Sequence, residues 1–535
     1  MGYNYLMTNK TTHDYFNLKA QFLQLSMNFN VGTLIPEDSK VKLVCKIVER
    51  MDLSIFSCTG PKKGRKPVVD LVDFIKIILF CYSEGKFSNR KIEDFCLYDI
   101  RGHYLLAGRK APDHSTICRF QDMLKDHMQD LLTQFVRILV EDEHVDLKSL
   151  YIDGTKIEAV ANRYTFVWRK SVEKHQNRLK ERMIQELDMS EESTLEEVIS
   201  RINTEFNQMR NLCSKLKIEF VYGSGRRKSH EQRNYEYYLD IKDKFENYKL
   251  HLETMGTRNS YSKTDHDATF MRMKDDHMRN GQLKPAYNIQ MASSGAFIVG
   301  VMGSQQANDL HTLKPFLEQM LPTYGDYIRN IVADAGYESV ENYAYLESKG
   351  LKPYIKPSNH EIKNRSKVKT DLGRRENMQY QECDDYYICK AGKKLVRRKD
   401  SIKKTASGFE DINRVYTCFD CKGCQYSTQC IRSRSNPDPD KKTLKFSPAF
   451  EVYRKRSEVN ISTEEGIDER INRSIQAEGA FSKVKDGLAF DRFRRKGMKK
   501  IVADMIMVAM GINLNKLHSK ILNNQTGIIM YKKAA

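Results

Sequence analysis

Two aspartates stand at the ends of short apolar runs, in residues 150–154 (LYIDG) and 331–336 (IVADAG). The runs predict buried strands, and a carboxylate at a strand end is held rigidly while it projects from the sheet edge, where open sheets bind ligands. A buried unpaired charge is costly, so a divalent cation that binds both Asp153 and Asp334 would stabilise them. The alternative is that each Asp only accepts a hydrogen bond in the following turn, a position that Asp favours.

A third acid, Glu478, lies in a segment with helical periodicity. On a helix predicted over residues 471–485, Glu478, Ser482 and Lys485 fall at i, i+4 and i+7 and form a polar stripe beside an apolar face. The helix can then pack on a sheet while Glu478 faces a cleft; a surface Glu near a Lys is the alternative. Three carboxylates without a Cys or His partner suit a hard ion such as Mg²⁺ or Mn²⁺.

The second chemical signal is a group of cysteines with the spacing Cys-x2-Cys-x2-Cys-x5-Cys. They are Cys418, Cys421, Cys424 and Cys430. Four thiolates at this spacing can close a tetrahedral structural Zn²⁺ site, and Cys383 and Cys389 could replace one or two of the ligands. Free thiols packed as small hydrophobic side chains are the alternative.

The chain that must position these groups has 535 residues, enough for three or four structural units. Its 89 Lys and Arg residues exceed its 70 Asp and Glu residues and give a net charge of +19, a field that favours nucleic acid. The hydrophobic fraction of 40% excludes wholesale disorder. The N-terminus shows no signal-peptide pattern, apolar runs are too short for a membrane span, and most cysteines are isolated. We therefore expect a soluble cytoplasmic protein, associated with the nucleoid when bound to DNA.

The pattern of apolar residues predicts an α+β fold, with an N-terminal helical region and a mixed core that two insertions interrupt. Ser88 and Asp113 are predicted N-caps of short helices, whose basic residues Arg90 and Arg119 suit a DNA-binding bundle. A helical scaffold with solvated charges is the alternative. The predicted parts are an N-terminal helical DNA-binding domain (1–145), core segments (146–168 and 256–360), a charged helical hairpin (169–255), a basic Cys-rich and strand-rich insertion (361–455), C-terminal core helices (456–520) and a tail (521–535).

Five phrases, in chain order, resemble the DDE transposases of bacterial insertion sequences. They are residues 113–120 (DHSTICRF), 151–159 (YIDGTKIEA), 284–290 (KPAYNIQ), 332–337 (VADAGY) and 477–481 (AEGAF). The resemblance spans about residues 60–520. It implies a ribonuclease-H-like core in which Asp153, Asp334 and Glu478 form an acidic triad that binds Mg²⁺ or Mn²⁺.

Many relatives carry Tyr-x2-Arg-x3-Glu-x6-Lys around the third acid. Glu478 and Lys485 keep this spacing, which implies a catalytic role for Lys485, whereas Ile471 and Ser474 occupy the Tyr and Arg places. Arg473, a candidate ligand of DNA phosphate, lies one residue away from the Arg place, about 100° around an α-helix.

Charge and resemblance lead to the hypothesis of a DNA transposase that hydrolyses its element's ends and transfers them to target DNA. Lys156 is a further candidate clamp for phosphate, and the joining of two ends implies at least a homodimer on DNA. Two alternatives stay open. One is an inactive DNA-binding protein derived from a transposase, and the other is a ribonuclease-H-like nuclease that cuts without strand transfer.

Overall fold

The computed structural model describes residues 31–56, 69–223, 227–273, 281–363, 365–405, 407–431 and 440–527. Residues 1–30 of the predicted N-terminal domain and residues 528–535 of the predicted tail lie outside these ranges.

Six α-helices occupy the described part of the N-terminal region, with 3₁₀ turns at Val31–Leu34 and Ser54–Phe56. They are α1 (Lys40–Glu49), α2 (Leu71–Ser83), α3 (Asn89–Tyr98), α4 (Ile100–Leu106), α5 (His114–Leu124) and α6 (Met128–Glu141). The predicted starts of two helices are confirmed: Ser88 precedes α3, and the Asp113 carboxylate accepts from the Thr116 N–H at 2.6 Å before α5. Helix α2 is buried on all sides from Phe74 onward, as expected of a helix that is apolar around its whole circumference.

Eight strands belong to the core. They are β1 (Ser149–Glu158), β2 (Phe166–Trp168), β3 (Ser260–Ser262), β4 (Thr269–Arg272), β5 (Leu283–Ser294), β6 (Phe297–Ser304), β7 (Asn330–Ala333) and β8 (Lys352–Ile355). Six of them form the central sheet, in the order β4-β5-β1-β7-β8 with β6 also paired to β5. Strand β5 is antiparallel to β1, whereas β7 is parallel to both β1 and β8. This mixed sheet, together with the N-terminal helices, confirms the predicted α+β class.

The charged segment after β2 forms three helices, so a third helix extends the predicted hairpin. They are α7 (Arg169–Glu186), α8 (Leu195–Lys215) and α9 (His230–Met255). A small core of its own, including Met183, Ile202 and Phe245, holds the three helices together. Strands β2 and β3 pair at its base, where Trp168 lies opposite Ser260.

Helix α10 (Leu313–Tyr324) lies between β6 and β7, and helix α11 (Val340–Ser348) connects the parallel strands β7 and β8, which cannot be joined by a tight hairpin. Short 3₁₀ turns at Asp309–His311 and Ala335–Tyr337 lie at the start of these connections.

The Cys-rich segment is an antiparallel sheet, as its turn-rich sequence predicted. Its elements are α12 (Ser366–Lys369), a 3₁₀ turn (Arg375–Asn377), β9 (Gln379–Gln381), β10 (Tyr386–Ile388), β11 (Lys394–Arg397), β12 (Ser401–Lys404), β13 (Glu410–Cys418), α13 (Ser427–Cys430) and β14 (Lys442–Phe446). The strand order is β12-β13-β11-β10-β9, and β14 pairs with β13.

The chain ends in helices that cover the central sheet and the N-terminal region. They are α14 (Pro448–Ser462), α15 (Glu464–Arg473), α16 (Gly479–Ser482) and α17 (Met498–Leu522), with π turns at Ser474–Glu478 and Lys483–Gly487. The helix predicted over residues 471–485 is therefore not a regular α-helix. Each π turn holds one extra residue, which apolar periodicity does not reveal. Among the described residues, no helix combines the length and apolar character that crossing a membrane requires.

A buried carboxylate joins α15 to two neighbouring strands of the sheet. Glu469, 2% exposed, accepts hydrogen bonds from Ser149 Oγ (2.5 Å) and Tyr151 OH (2.6 Å) on β1 and from Asn330 Nδ2 (3.2 Å) on β7. No Lys or Arg of the described ranges forms an ion pair with it. Three neutral donors therefore satisfy this charge, and they fix the position of α15 over β1 and β7.

Replacing Glu469 should destabilise the whole core. In Glu469→Gln one acceptor oxygen becomes an NH₂ group that faces at least one of these donors, so we expect the free energy of unfolding to fall by about 1–3 kcal/mol because buried polar groups lose partners. The matched control is Glu464→Gln, an exposed residue on the same helix, which should change it by less than about 0.5 kcal/mol. Urea unfolding followed by circular dichroism measures both, and equal stability of the two variants would contradict the role of Glu469.

Candidate active site

The two predicted aspartates lie next to each other at one edge of the central sheet. Strands β1 and β7 are parallel, and Ile152 lies opposite Ala333, so Asp153 and Asp334 are the next residues on adjacent strands. Adjacent strands are about 4.8 Å apart. Both side chains are half-buried, and each accepts a local N–H at 2.8 Å, Asp153 from Gly154 and Asp334 from Gly336. Each Asp therefore does accept a hydrogen bond in the turn that follows it, as the alternative interpretation held. The pairing of β1 with β7 in addition places the two aspartates next to each other.

The third predicted acid lies on the helix that covers the same face of the sheet. Ala477 packs with Tyr151 on β1 and Val332 on β7. Side chains alternate along a strand, so Asp153 and Asp334, two residues further on, are directed to the face that carries Ala477. Glu478 follows Ala477 and is the last residue of the π turn Ser474–Glu478, with 60% of its side chain exposed. Glu478 is therefore the neighbour of a residue that packs on the two strands that carry Asp153 and Asp334.

The π turn brings Arg473 to Glu478. A π turn has hydrogen bonds from i to i+5, so residues five apart lie above one another. Arg473 Nη2 lies 3.3 Å from Glu478 Oε1. The extra residue in the turn therefore compensates for the displacement of Arg473 by one position from the Arg place of the sequence pattern.

The turn that carries Asp334 is anchored beneath the sheet edge by residues that the sequence analysis did not identify. The Tyr337 hydroxyl donates to Gln290 Oε1 on β5, and Gln290 Nε2 donates to Asp309 Oδ1 at 2.9 Å. Asn288 Nδ2 also donates to Asp309 Oδ1, at 2.7 Å. The available signal was the pair Asn288 and Gln290, two polar residues that alternate on an otherwise apolar strand and therefore need a buried partner.

The charges of the site act together on Tyr337. Burial raises the pKa of Tyr337 far above its ordinary value, and the negative charge of Asp309 raises it further. Asp153 and Asp334 add to this rise in the pKa, while the Arg473 guanidinium opposes it. Three carboxylates and one guanidinium therefore surround this hydroxyl, and the surplus is negative.

The other predicted site residues are dispersed. Lys485 lies in the second π turn, Lys483–Gly487, half-buried. Lys156 lies on β1 and donates from Nζ to the Arg272 carbonyl at 3.1 Å. Arg90 and Arg119 are exposed on the N-terminal helices.

Within the described ranges, no group of three or more His, Cys, Asp or Glu side chains is spaced so that it could hold a metal ion. The donor set at the sheet edge nonetheless suits Mg²⁺, because it consists of carboxylate oxygens with a surplus of negative charge. The carboxylates are the type of ligand that Mg²⁺ prefers, but their spacing in the structure does not form a closed metal site.

The Cys-rich sheet contains a small cavity of about 20 Å³ that five cysteines line. They are Cys389, Cys418, Cys421, Cys424 and Cys430. This volume is close to that of one water-sized group. Burial, followed by the neighbouring Cys418, raises the pKa of Cys421, and burial raises the pKa of Cys430 against the opposing charge of Lys442. Cys383 is exposed and does not line the cavity.

Two family models match the chain. Residues 388–518 match the model described as a transposase DDE domain, and residues 29–123 match the model described as a transposase domain, DUF772. The resemblance to DDE transposases is thereby confirmed for these two segments. Glu478 and the cysteine cavity lie inside the first segment, whereas Asp153 and Asp334 lie outside both. No curated protein and no solved structure matches the chain.

Two glycines next to the acids should respond to alanine in opposite directions. A Cβ at Gly154 would lie 2.3 Å from Gln290 Nε2 and 2.7 Å from Asp309 Oδ1, so Gly154→Ala should lower the free energy of unfolding by about 1–3 kcal/mol. A Cβ at Gly479 meets no atom within 4 Å on a helical backbone, so Gly479→Ala should raise it by about 0.5–1 kcal/mol. Chemical denaturation measures both, and a neutral Gly154→Ala would contradict the close packing beneath Asp153.

Proposed function

We propose that this protein is a DNA transposase that hydrolyses phosphodiester bonds at the ends of its element and transfers the freed ends to target DNA. The observation that carries the proposal is the position of Asp153 and Asp334 at the ends of adjacent parallel strands, with Glu478 next to Ala477, which packs on the same two strands. The matches to transposase models support the general class.

The chain's own groups account for binding and orientation of the DNA backbone. Asp153 and Asp334 are held by strand pairing, whereas Glu478 has a largely exposed side chain with room to turn toward them. Bound divalent ions would supply activation of the attacking oxygen and stabilisation of the leaving oxygen. Phosphoryl transfer otherwise depends on positioning and on cationic groups, roles that we assign to Arg473, Lys485 and Lys156.

DNA is the proposed partner, both as element ends and as target. The protein's net charge of +19 favours the binding of a polyanion such as DNA. Because two ends must be joined in one event, we propose that the active species on DNA is at least a homodimer.

Neutralising one of the paired aspartates should abolish the chemistry without unfolding the protein. With a duplex that carries the element end and 5 mM Mg²⁺, wild type should nick the end and form strand-transfer products, and Asp334→Asn should lower both rates at least about 10³-fold because a carboxylate ligand is lost. Asp153→Asn should do the same. The control is Asp326→Asn, an exposed residue at the opposite end of β7, which should retain the wild-type rate.

The same experiment separates the alternatives. Wild type that binds DNA and never cuts it would indicate an inactive DNA-binding protein, and nicking without joined products would indicate a nuclease. Cleavage by Asp334→Asn at the wild-type rate would remove the proposed site. Thermal unfolding of each variant checks that loss of activity does not reflect loss of fold.

We also propose that the cysteine cavity holds a structural Zn²⁺. In this proposal, four of the five cysteines that line the cavity supply the thiolates of a tetrahedral site, and Cys389 is an alternative ligand to one of the four predicted from the sequence. Their side chains would have to turn toward a common centre, because no group of three or more such side chains in the described ranges is spaced for a metal ion.

Metal content should test this site independently of DNA cleavage. Protein purified without chelator should contain about one Zn per chain by elemental analysis, and Cys421→Ser should lose it because a ligand is removed. Cys383→Ser, at an exposed thiol outside the cavity, is the matched control and should keep the metal. A metal-free wild type with all thiols titratable by a thiol reagent would contradict the proposal.

A further inference from the structure

A wide groove separates the N-terminal helices from the end of the core. Helices α3 and α5 form one wall, residues 490–495 form the other, and the space between them is about 790 Å³. Phe87, Phe490 and Phe493 make its apolar floor, with Phe87 and Phe490 in edge contact at 5.0 Å. The Phe493 N–H donates to the Glu158 carbonyl at 2.9 Å, so the core-side wall is attached to the end of β1.

Exposed arginines from both walls face this groove. Arg90 and Arg119 come from α3 and α5, and Arg494 comes from the core side. In the part of the chain that the structure describes, none of the three forms an ion pair, and all are exposed. Their positive charge is therefore available to an external anion.

A fourth arginine, Arg492, lies near an acid that does not fully neutralise its charge. Arg492 Nε lies 3.7 Å from Glu158 Oε1, but Glu158 is already paired with Arg163 at 2.7 Å and with Lys284 at 3.6 Å. One carboxylate is thus shared by three cations. This corner of the groove carries a surplus of two positive charges.

Apart from Asp491, which is exposed and does not line the groove, the acids at the groove are engaged elsewhere. Asp504, the one acid among the residues that line it, is bound by Arg495, which also lies 3.4 Å from Asp122. On the rim, Asp113 accepts the Thr116 N–H, and Glu93 lies 2.9 Å from the His114 ring. These acids therefore compete weakly for Arg90, Arg119 and Arg494.

The groove is also open to the positive end of one helix. Asn89 at the start of α3 lines it, and Ser88 makes no side-chain capping bond to α3. N–H groups at a helix start attract anions, and this end reinforces the arginines.

We propose that this groove holds the phosphate backbone of the element-end duplex, so that one DNA segment is gripped by the N-terminal helices and the core together. The inference rests on the proposed function. Glu158 lies five positions after Asp153 on β1, a span of about 17 Å along the strand. Phosphates follow one another on a DNA strand at about 3.4 Å of helix rise, so the groove contacts lie about five nucleotides from the cleaved bond.

Salt dependence of binding tests the groove. With full-length protein and a fluorescent end-bearing duplex at 50–300 mM NaCl, the triple variant Arg90→Ala, Arg119→Ala, Arg494→Ala should reduce the slope of log K against log salt by about 2.7, since each lost phosphate contact contributes about 0.9. The corresponding triple Lys variant should restore the slope, because Lys also neutralises phosphate. The matched control Arg178→Ala, an exposed arginine on α7, should leave it unchanged.

A second measurement fixes the position. Neutral methylphosphonate linkages placed about five nucleotides from the cleaved bond should weaken binding of wild type and have no effect on the triple Ala variant. An unchanged slope in the triple Ala variant, or an equal reduction of the slope in Arg178→Ala, would contradict the proposal that DNA binds in the groove. If wild type binds DNA through the groove and never cuts it, only the proposal of an enzyme is wrong. If wild type cuts DNA and the triple Ala variant keeps the wild-type slope, only the proposal that DNA lies in the groove is wrong.

Discussion

The buried carboxylate of Glu469 is the contact on which the candidate site depends. It accepts from Ser149 and Tyr151 on β1 and from Asn330 on β7, the strands that carry the two aspartates. A carboxylate at 2% exposure is stable only with its hydrogen bonds complete, so α15 cannot shift along the sheet without leaving polar groups unsatisfied. One interaction thus sets the register between the strands of the first two acids and the helix that leads to the third.

Beyond that contact, the π turn decides which side chains reach the sheet edge. Two neighbouring residues of this turn contact the sheet. Gln476 accepts a hydrogen bond from the Ala296 N–H at 3.0 Å, and Ala477 packs on Tyr151. The added residue also brings Arg473 to Glu478. A guanidinium beside the third acid is therefore a consequence of how the helix fits the sheet, and a sequence pattern that assumes 3.6 residues per turn places it wrongly.

Local patterns predicted what depends on local chemistry. The apolar runs before Asp153 and Asp334, and the caps at Ser88 and Asp113, identified strand ends and helix starts because each signal lies within a few residues. Glu469 resembles its charged neighbours on α15 in sequence, and only its distant partners make it buried. For the same reason, the pairing of Asp309 with Gln290 and the meeting of arginines in the groove could not be predicted: their partners lie on other elements.

Both insertions leave the core and return to it at closed bases, which explains how core strands and helices far apart in sequence remain neighbours. Trp168 and Ser260 pair where α7–α9 leave, and beyond the Cys-rich sheet Ser457 Oγ donates to the Ile355 carbonyl at 2.6 Å, with Asn460 bonded to Pro353 at 2.9 Å. The entropic cost of closing a loop grows only slowly with its length, so the size of an insertion has little influence on the sheet. The hydrogen bonds at the base of each insertion therefore hold the strands of the core in place, whatever the size of the insertion between them.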